Sequence, residues 1–152
     1  NDIASSEYLH KLKGVQYSPA PYFNLEEEYN TQQLVSKLIK NKKIKSAHDI
    51  SEGGLMITLL ESGFSGGKGF SVHPTVDIRQ DAYWFGEAQG RVVVSVAASD
   101  WGTVHAAATA EGIAITQLGT VTSNDVEVGG NNWGSIEDWK NKYDTAIEKL
   151  IL

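Results

Sequence analysis

The run Arg91–Ala97, RVVVSVA, constrains the fold more than any other stretch. Valine branches at Cβ, which stiffens χ1 and favours extended backbone. A strand this apolar is expected to be buried on both faces, which suits a central place in a sheet. A helix is expected directly after it: Ser99 can cap a segment running to Glu111, and Gly112 can end it. Upstream, Asn24 precedes Leu25-Glu26-Glu27-Glu28, an N-cap with Glu27 at the capping-box position. Lys37, Lys40, Lys42 and Lys43 crowd the far end of that segment, as a helix dipole favours, so a helix is predicted over 25–41.

The remaining elements follow from the same signals. Ile44–Asp49 reads as a short strand, and a helix is predicted from about Glu52 to Ser62, closed by Gly63. Phe70–Pro74 reads as a strand ended by its proline. Asp81–Glu87 reads as a short helix, and Ile113–Val121 as a strand with Asp125–Gly129 as its hairpin partner. Ser135 with Asp138 opens a last helix, with Ile136, Trp139, Tyr143, Ile147 and Leu150 on one apolar face. Residues 1–23 carry no clear period, and Ser18–Phe23, SPAPYF, reads as an extended linker. The order implies an α/β (or α+β) fold with helices packed on a mixed sheet.

Bulk properties exclude several classes. The 152 residues suit one domain with its own core. A net charge of −6 argues against non-specific nucleic-acid binding. The absence of cysteine rules out disulfides and thiolate chemistry and fits a cytoplasmic location. No apolar run approaches the roughly 20 residues of a membrane span, and no secretory pattern opens the chain. The first residue is Asn1 and the one methionine is Met56, so a piece of a longer protein is expected.

Ser46–Leu55, SAHDISEGGL, holds the densest candidate chemistry. Ser51 is placed to cap the following helix, and Gly53 and Gly54 fall in its first turn, where propensity disfavours them. That placement implies that something comes close to the backbone. A helix N-terminus suits an anionic ligand, and His48 and Asp49 leave the strand at the edge where α/β proteins place ligands. In the other reading Asp49 and Ser51 satisfy turn amides, and the glycines let helix and sheet pack tightly. Spacing alone leaves both open. His48 and Glu52 would share a helical face, but no HExxH pattern supports a metal site and none is expected.

Phe85–Arg91, FGEAQGR, places Glu87, Gln89 and Arg91 between two glycines. They read either as a solvated rim with an internal Arg–carboxylate pair or as a wall of the His48 cleft. Ser65–Gly69, SGGKG, lacks P-loop spacing and reads as a loop. His73 and His105 read as structural or exposed, and Trp84, Trp101, Trp133 and Trp139 as core or edge packing.

Together, SAHDISEGGL and FGEAQGRVVVSV (Phe85–Val96) resemble the phosphoribosylformylglycinamidine synthase family, the large synthetase subunit of purine biosynthesis. The similarity runs from SSEYLHKLKG (Ser5–Gly14) to the last helix. The first motif by itself points only to the wider superfamily of aminoimidazole ribonucleotide synthetase, selenophosphate synthetase and thiamine-phosphate kinase. The resemblance implies the C-terminal domain of two fused repeats, with 1–23 as a linker from the preceding domain and 24–152 as the domain itself. It implies a three-layer α/β/α domain with a mixed sheet and partial ferredoxin-like topology.

The implied reaction converts formylglycinamide ribonucleotide, glutamine and ATP to the amidine, with ATP and Mg2+ held mostly by absent domains. The implied partners are the remainder of the synthetase chain, a glutaminase component, a small bridging subunit and the ribonucleotide substrate. No nucleic acid or membrane is implied. The excised domain is expected to expose its docking surface, to self-associate and to be inactive alone. No catalytic residue is assigned. Ser6 is carried over from ASSEYL (Ala4–Leu9), and the cleft candidates are Ser6, His48, Asp49, Ser51, Gly53, Gly54, Glu87, Gln89 and Arg91. The alternative is a non-catalytic binding or assembly domain of a selenophosphate synthetase or thiamine-phosphate kinase type.

Overall fold

The computed structural model describes residues 3–75 and 77–151. They fall into two compact units, Asn1–Thr58 with Ile78–Thr116, and Leu59–Asp77 with Gln117–Leu152.

The first unit opens with a single π-helical turn, Tyr8–Leu12, that sequence periodicity does not reveal. The chain then runs without regular structure to α1, Leu25–Lys40. Asn24 caps α1 as expected, its Oδ1 accepting the amides of Glu26 at 3.0 Å and Glu27 at 3.2 Å. Glu27 does not complete a capping box, because its Oε1 accepts the Tyr22 hydroxyl instead. Strand β1, Ser46–Asp49, pairs antiparallel with β3, Val92–Ser95, with His48 opposite Val93 and Asp49 opposite Val92. Between them in sequence lie α2, Gly54–Phe64, which crosses the unit boundary, β2, Phe70–Val72, and α3, Gln80–Phe85.

After β3 comes α4, Trp101–Ala110. Leu34 and Leu38 of α1, Val104 and Ala108 of α4 and Ile44 form a buried cluster, with Val94 and Val96 packed against it. Covering these side chains removes apolar surface from water, the main stabilising term.

Three expectations change here. β3 is not central: it pairs only with β1 among the described residues, and its residues are half-buried. The covered valines are on the face turned to α1 and α4. Second, α2 begins at Gly54 rather than Glu52, because Gly53 (φ +85°) and Gly54 (φ +68°) are left-handed and the right-handed backbone starts only beyond them. Ser51 contributes its carbonyl, which accepts the Gly54 amide at 3.0 Å, and not a capping hydroxyl. Third, Asp100 and not Ser99 occupies the N-cap of α4, and no side chain caps there. The Asp100 carboxylate instead pairs with Lys43 Nζ at 2.9 Å.

In the second unit a four-stranded sheet runs in the order β4-β2-β5-β6, with β4 Gly119–Val121, β5 Asp125–Val128 and β6 Asn131–Ser135. β2 pairs antiparallel with β4 and parallel with β5, so the sheet is mixed. The expected hairpin of 113–121 with 125–129 is therefore wrong: β2 lies between β4 and β5. The hairpin partner of β5 is β6, reached through the two-residue turn Gly129–Gly130. The 113–121 segment is a strand only at its end. Ile113 donates to the Ala108 carbonyl at 2.9 Å to close α4, and Ile113 and Ile115 pack on the first unit's own cluster.

Ser135 caps α5, Ile136–Asp144, accepting the Asp138 amide at 3.0 Å. The apolar stripe does not continue as one helix. α5 stops at Thr145, a short α6 follows at Glu148–Ile151, and Ile147 (73 % exposed) and Leu150 (85 %) face solvent, while Ile136 is buried.

The fold is thus α/β with helices and a mixed sheet, the class expected. No helix among the described residues is long and apolar enough to cross a membrane.

Candidate functional site

Strand β1 delivers His48 and Asp49 to the turn that enters α2. The His48 ring Nδ1 lies 2.7 Å from the Asp49 carbonyl oxygen. A carbonyl only accepts, so Nδ1 carries the proton and donates. The Asp49 carboxylate is 79 % exposed and stands 3.8 Å from the same nitrogen. Behind the turn the buried Thr58 hydroxyl reaches the Gly54 carbonyl at 3.1 Å and the Asp49 carbonyl at 3.3 Å. The group that crowds the glycines is the chain itself. A Cβ on Gly54 would stand 2.7 Å from the Cα and carbonyl carbon of Phe85 and 2.8 Å from the Trp84 carbonyl oxygen, where α3 ends.

Glu87 joins three segments. Its Oε1 accepts the amide of Gly53 at 2.9 Å and the amide of Glu7 at 2.9 Å. The ring of Tyr8 stacks on Phe85 beside this point, centroids 4.9 Å apart and planes 2° from parallel. Ser6, next to Glu7 in the chain, is fully buried, its Oγ donating to the Ile3 carbonyl at 2.6 Å and accepting the Leu9 amide at 3.3 Å. Ser6, Gly53, Gly54 and Glu87 are thereby brought together.

Arg91 does not pair with Glu87, which overturns the internal ion pair read from FGEAQGR. Its Nη1 donates to the Gly86 carbonyl at 3.1 Å, and no ion pair to Arg91 is present among the described residues. Burial pulls its guanidinium below its usual range, with Tyr83 opposing. Gln89 and Ser51 are exposed, and neither side chain hydrogen-bonds among the described residues.

The site therefore divides. Ser6, Gly53, Gly54 and Glu87 are engaged internally, while Asp49, Ser51 and Gln89 face solvent and His48 and Arg91 are half-buried. Sequence reasoning missed Tyr8 and the amide of Glu7, since nothing local marks a stack or a hydrogen bond across most of the chain. Among the described residues no three His, Asp or Glu side chains stand close enough to hold a metal ion. They do not by themselves form a magnesium cage.

Residues 2–130 match the family described as AIR synthase related protein, C-terminal domain. Similar curated proteins include the phosphoribosylformylglycinamidine synthase subunit PurL of Alkaliphilus metalliredigens, 31 % identical across 98 % of this chain and 21 % of that protein. The corresponding subunit of Prochlorococcus marinus is 34 % identical across 98 % of this chain and 20 % of that protein. The chain thus spans about a fifth of the length of these relatives. Among solved structures, T. maritima PurL complexed with FGAR superposes with a TM-score of 0.70 at 13 % identity, over 84 % of this chain and 23 % of that one. PurLQS from Thermotoga maritima gives 0.66 at 16 % identity, over 82 % of this chain and 22 % of that one, and both likenesses speak to the fold. With the family match covering most of its length, the chain belongs to the AIR synthase related proteins, as their C-terminal domain.

Proposed function

We propose that the chain works as the C-terminal domain of a phosphoribosylformylglycinamidine synthase. That enzyme would convert formylglycinamide ribonucleotide, glutamine and ATP to formylglycinamidine ribonucleotide, glutamate, ADP and phosphate. The observation that carries this reading is the near end-to-end alignment with relatives named for that subunit. The same alignments fit the synthase and not a selenophosphate or thiamine-phosphate enzyme.

In this reading the domain walls one ligand cleft of a longer cytoplasmic chain, with 1–23 leading in from the preceding domain and 24–152 forming the domain. ATP and Mg2+ supply phosphoryl transfer and charge neutralisation there, held mainly by the rest of that chain. A glutaminase component and a small bridging subunit deliver ammonia. This chain's contribution is positional. Asp49, Ser51 and Gln89 offer exposed polar groups to a ribonucleotide, with His48 and Arg91 beside them, while Ser6, Gly53, Gly54 and Glu87 hold the turn that presents them.

Two experiments test it. The 152-residue chain, given ATP, Mg2+, formylglycinamide ribonucleotide and ammonium, is expected to show no amidine formation; turnover by this chain alone would overturn the reading. In the full-length synthase, replacing His48, Asp49 or Gln89 by Ala is expected to lower activity at unchanged thermal stability. Full activity in all three removes these residues from the cleft.

A further inference from the structure

We infer that Glu87 is a positioning latch, one carboxylate oxygen that makes the N-terminal turn and the entry to α2 a single ordered unit. The two amides it holds come from segments remote in sequence, Glu7 being 80 residues away and Gly53 being 34. Both bonds are 2.9 Å, within the range of well-formed charge-assisted N–H···O contacts.

A charged acceptor shared by two amides fixes their distance from each other as well as from itself. Neither amide is bonded inside a regular ladder. Glu7 precedes the π-helical turn, and Gly53 precedes α2 in left-handed backbone. Without Glu87 each would need water or another acceptor. The neighbours of Glu87 brace it: Phe85 stacks on Tyr8, Gly86 accepts Arg91, and Ala88 is buried. Ser6 and the Gly53–Gly54 turn therefore move as one body, and a group that displaced the carboxylate would release both. The latch also fills the Gly53 N–H, an amide at the helix entry, where one of the two readings of the sequence places an anionic ligand. This inference rests on hydrogen-bond geometry and is independent of the synthase reading, which activity tests.

The test is amide hydrogen exchange on the 15N-labelled chain, with Val104 and Ile113 as controls because their amides bond within or at the end of α4. Glu87→Ala is expected to speed exchange at Glu7 and Gly53 together, about tenfold or more, with the controls unchanged. Glu87→Asp keeps the charge but withdraws the oxygens by one methylene, and is expected to deprotect the two amides in the same sense. Glu87→Gln keeps an acceptor oxygen at the same reach and is expected to restore protection at both. The latch is overturned if Glu87→Asp leaves both amides protected, if only one responds, if the controls accelerate equally, or if Glu87→Gln restores neither.

Discussion

Gly53–Gly54 and Gly129–Gly130 are the same dipeptide in the same left-handed backbone, with φ of +85° and +68° in the first pair and +58° and +80° in the second. They are glycine for different reasons. Gly129–Gly130 is the two-residue turn between β5 and β6, and a Cβ on either would meet nothing within 4 Å. Backbone conformation alone explains it, since tight hairpins ask for positive φ at both central positions. Gly54 carries that demand and a second one, for the backbone of Phe85 fills the space a side chain would need. A glycine pair in a sequence reports a conformation. Only its surroundings report whether it also marks a contact.

The contrast can be broken at graded cost. Gly54→Ala should be the most damaging change, combining left-handed strain with overpacking against rigid backbone, about 3–5 kcal/mol by urea unfolding. A loss under 1 kcal/mol would mean that α3 can shift freely away from the turn. Glu87→Ala comes next, at about 2–3 kcal/mol, because it leaves two amide donors without their acceptor. Gly129→Ala should cost about 1 kcal/mol, the left-handed penalty by itself.

Asp81→Asn is the smallest. Asp81 lies in the first turn of α3, the helix whose far end abuts Gly54, and its carboxylate accepts Arg79 Nη2 at 2.6 Å and Nε at 2.9 Å. Those hydrogen bonds hold its pKa below the ordinary carboxylate value, with the Arg79 side chain exposed and Asp81 half-buried. A lowered folded value stabilises above the unfolded pKa of about 3.9 and is lost as pH falls through the folded value. Melting temperatures of wild type and Asp81→Asn should therefore differ slightly at neutral pH and converge in acid. A large difference would mean that the start of α3, rather than its approach to Gly54, anchors this region.

What the sequence makes legible follows from range. The Asn24 and Ser135 caps are readable because a cap is a bond between residues two or three apart. The β5–β6 hairpin was equally open to reading, since Gly-Gly between Val128 and Asn131 is a tight-turn signal, but the polar run Asn131–Ser135 hides the strand. Strand order was not legible: β2 slips between β4 and β5 through pairings that leave no local mark. At the site, the glycines announced a close approach without naming Phe85. The carboxylate in FGEAQGR looked like a partner for the nearby Arg91, when its actual partners are amides 34 and 80 residues away. The charge balance of a short motif does not reveal which distant backbone groups it serves.

Asparagine separates the two demands made on a glycine, because it tolerates left-handed backbone but still has a side chain. The most direct measurement is thus the urea-unfolding stability of Gly129→Asn beside that of Gly54→Asn. The expected result is Gly129→Asn within about 0.5 kcal/mol of wild type, and Gly54→Asn at least as damaging as Gly54→Ala. A tolerated Gly54→Asn would contradict the claim that the chain's own backbone, packed at the end of α3, shapes the turn that bears His48 and Asp49.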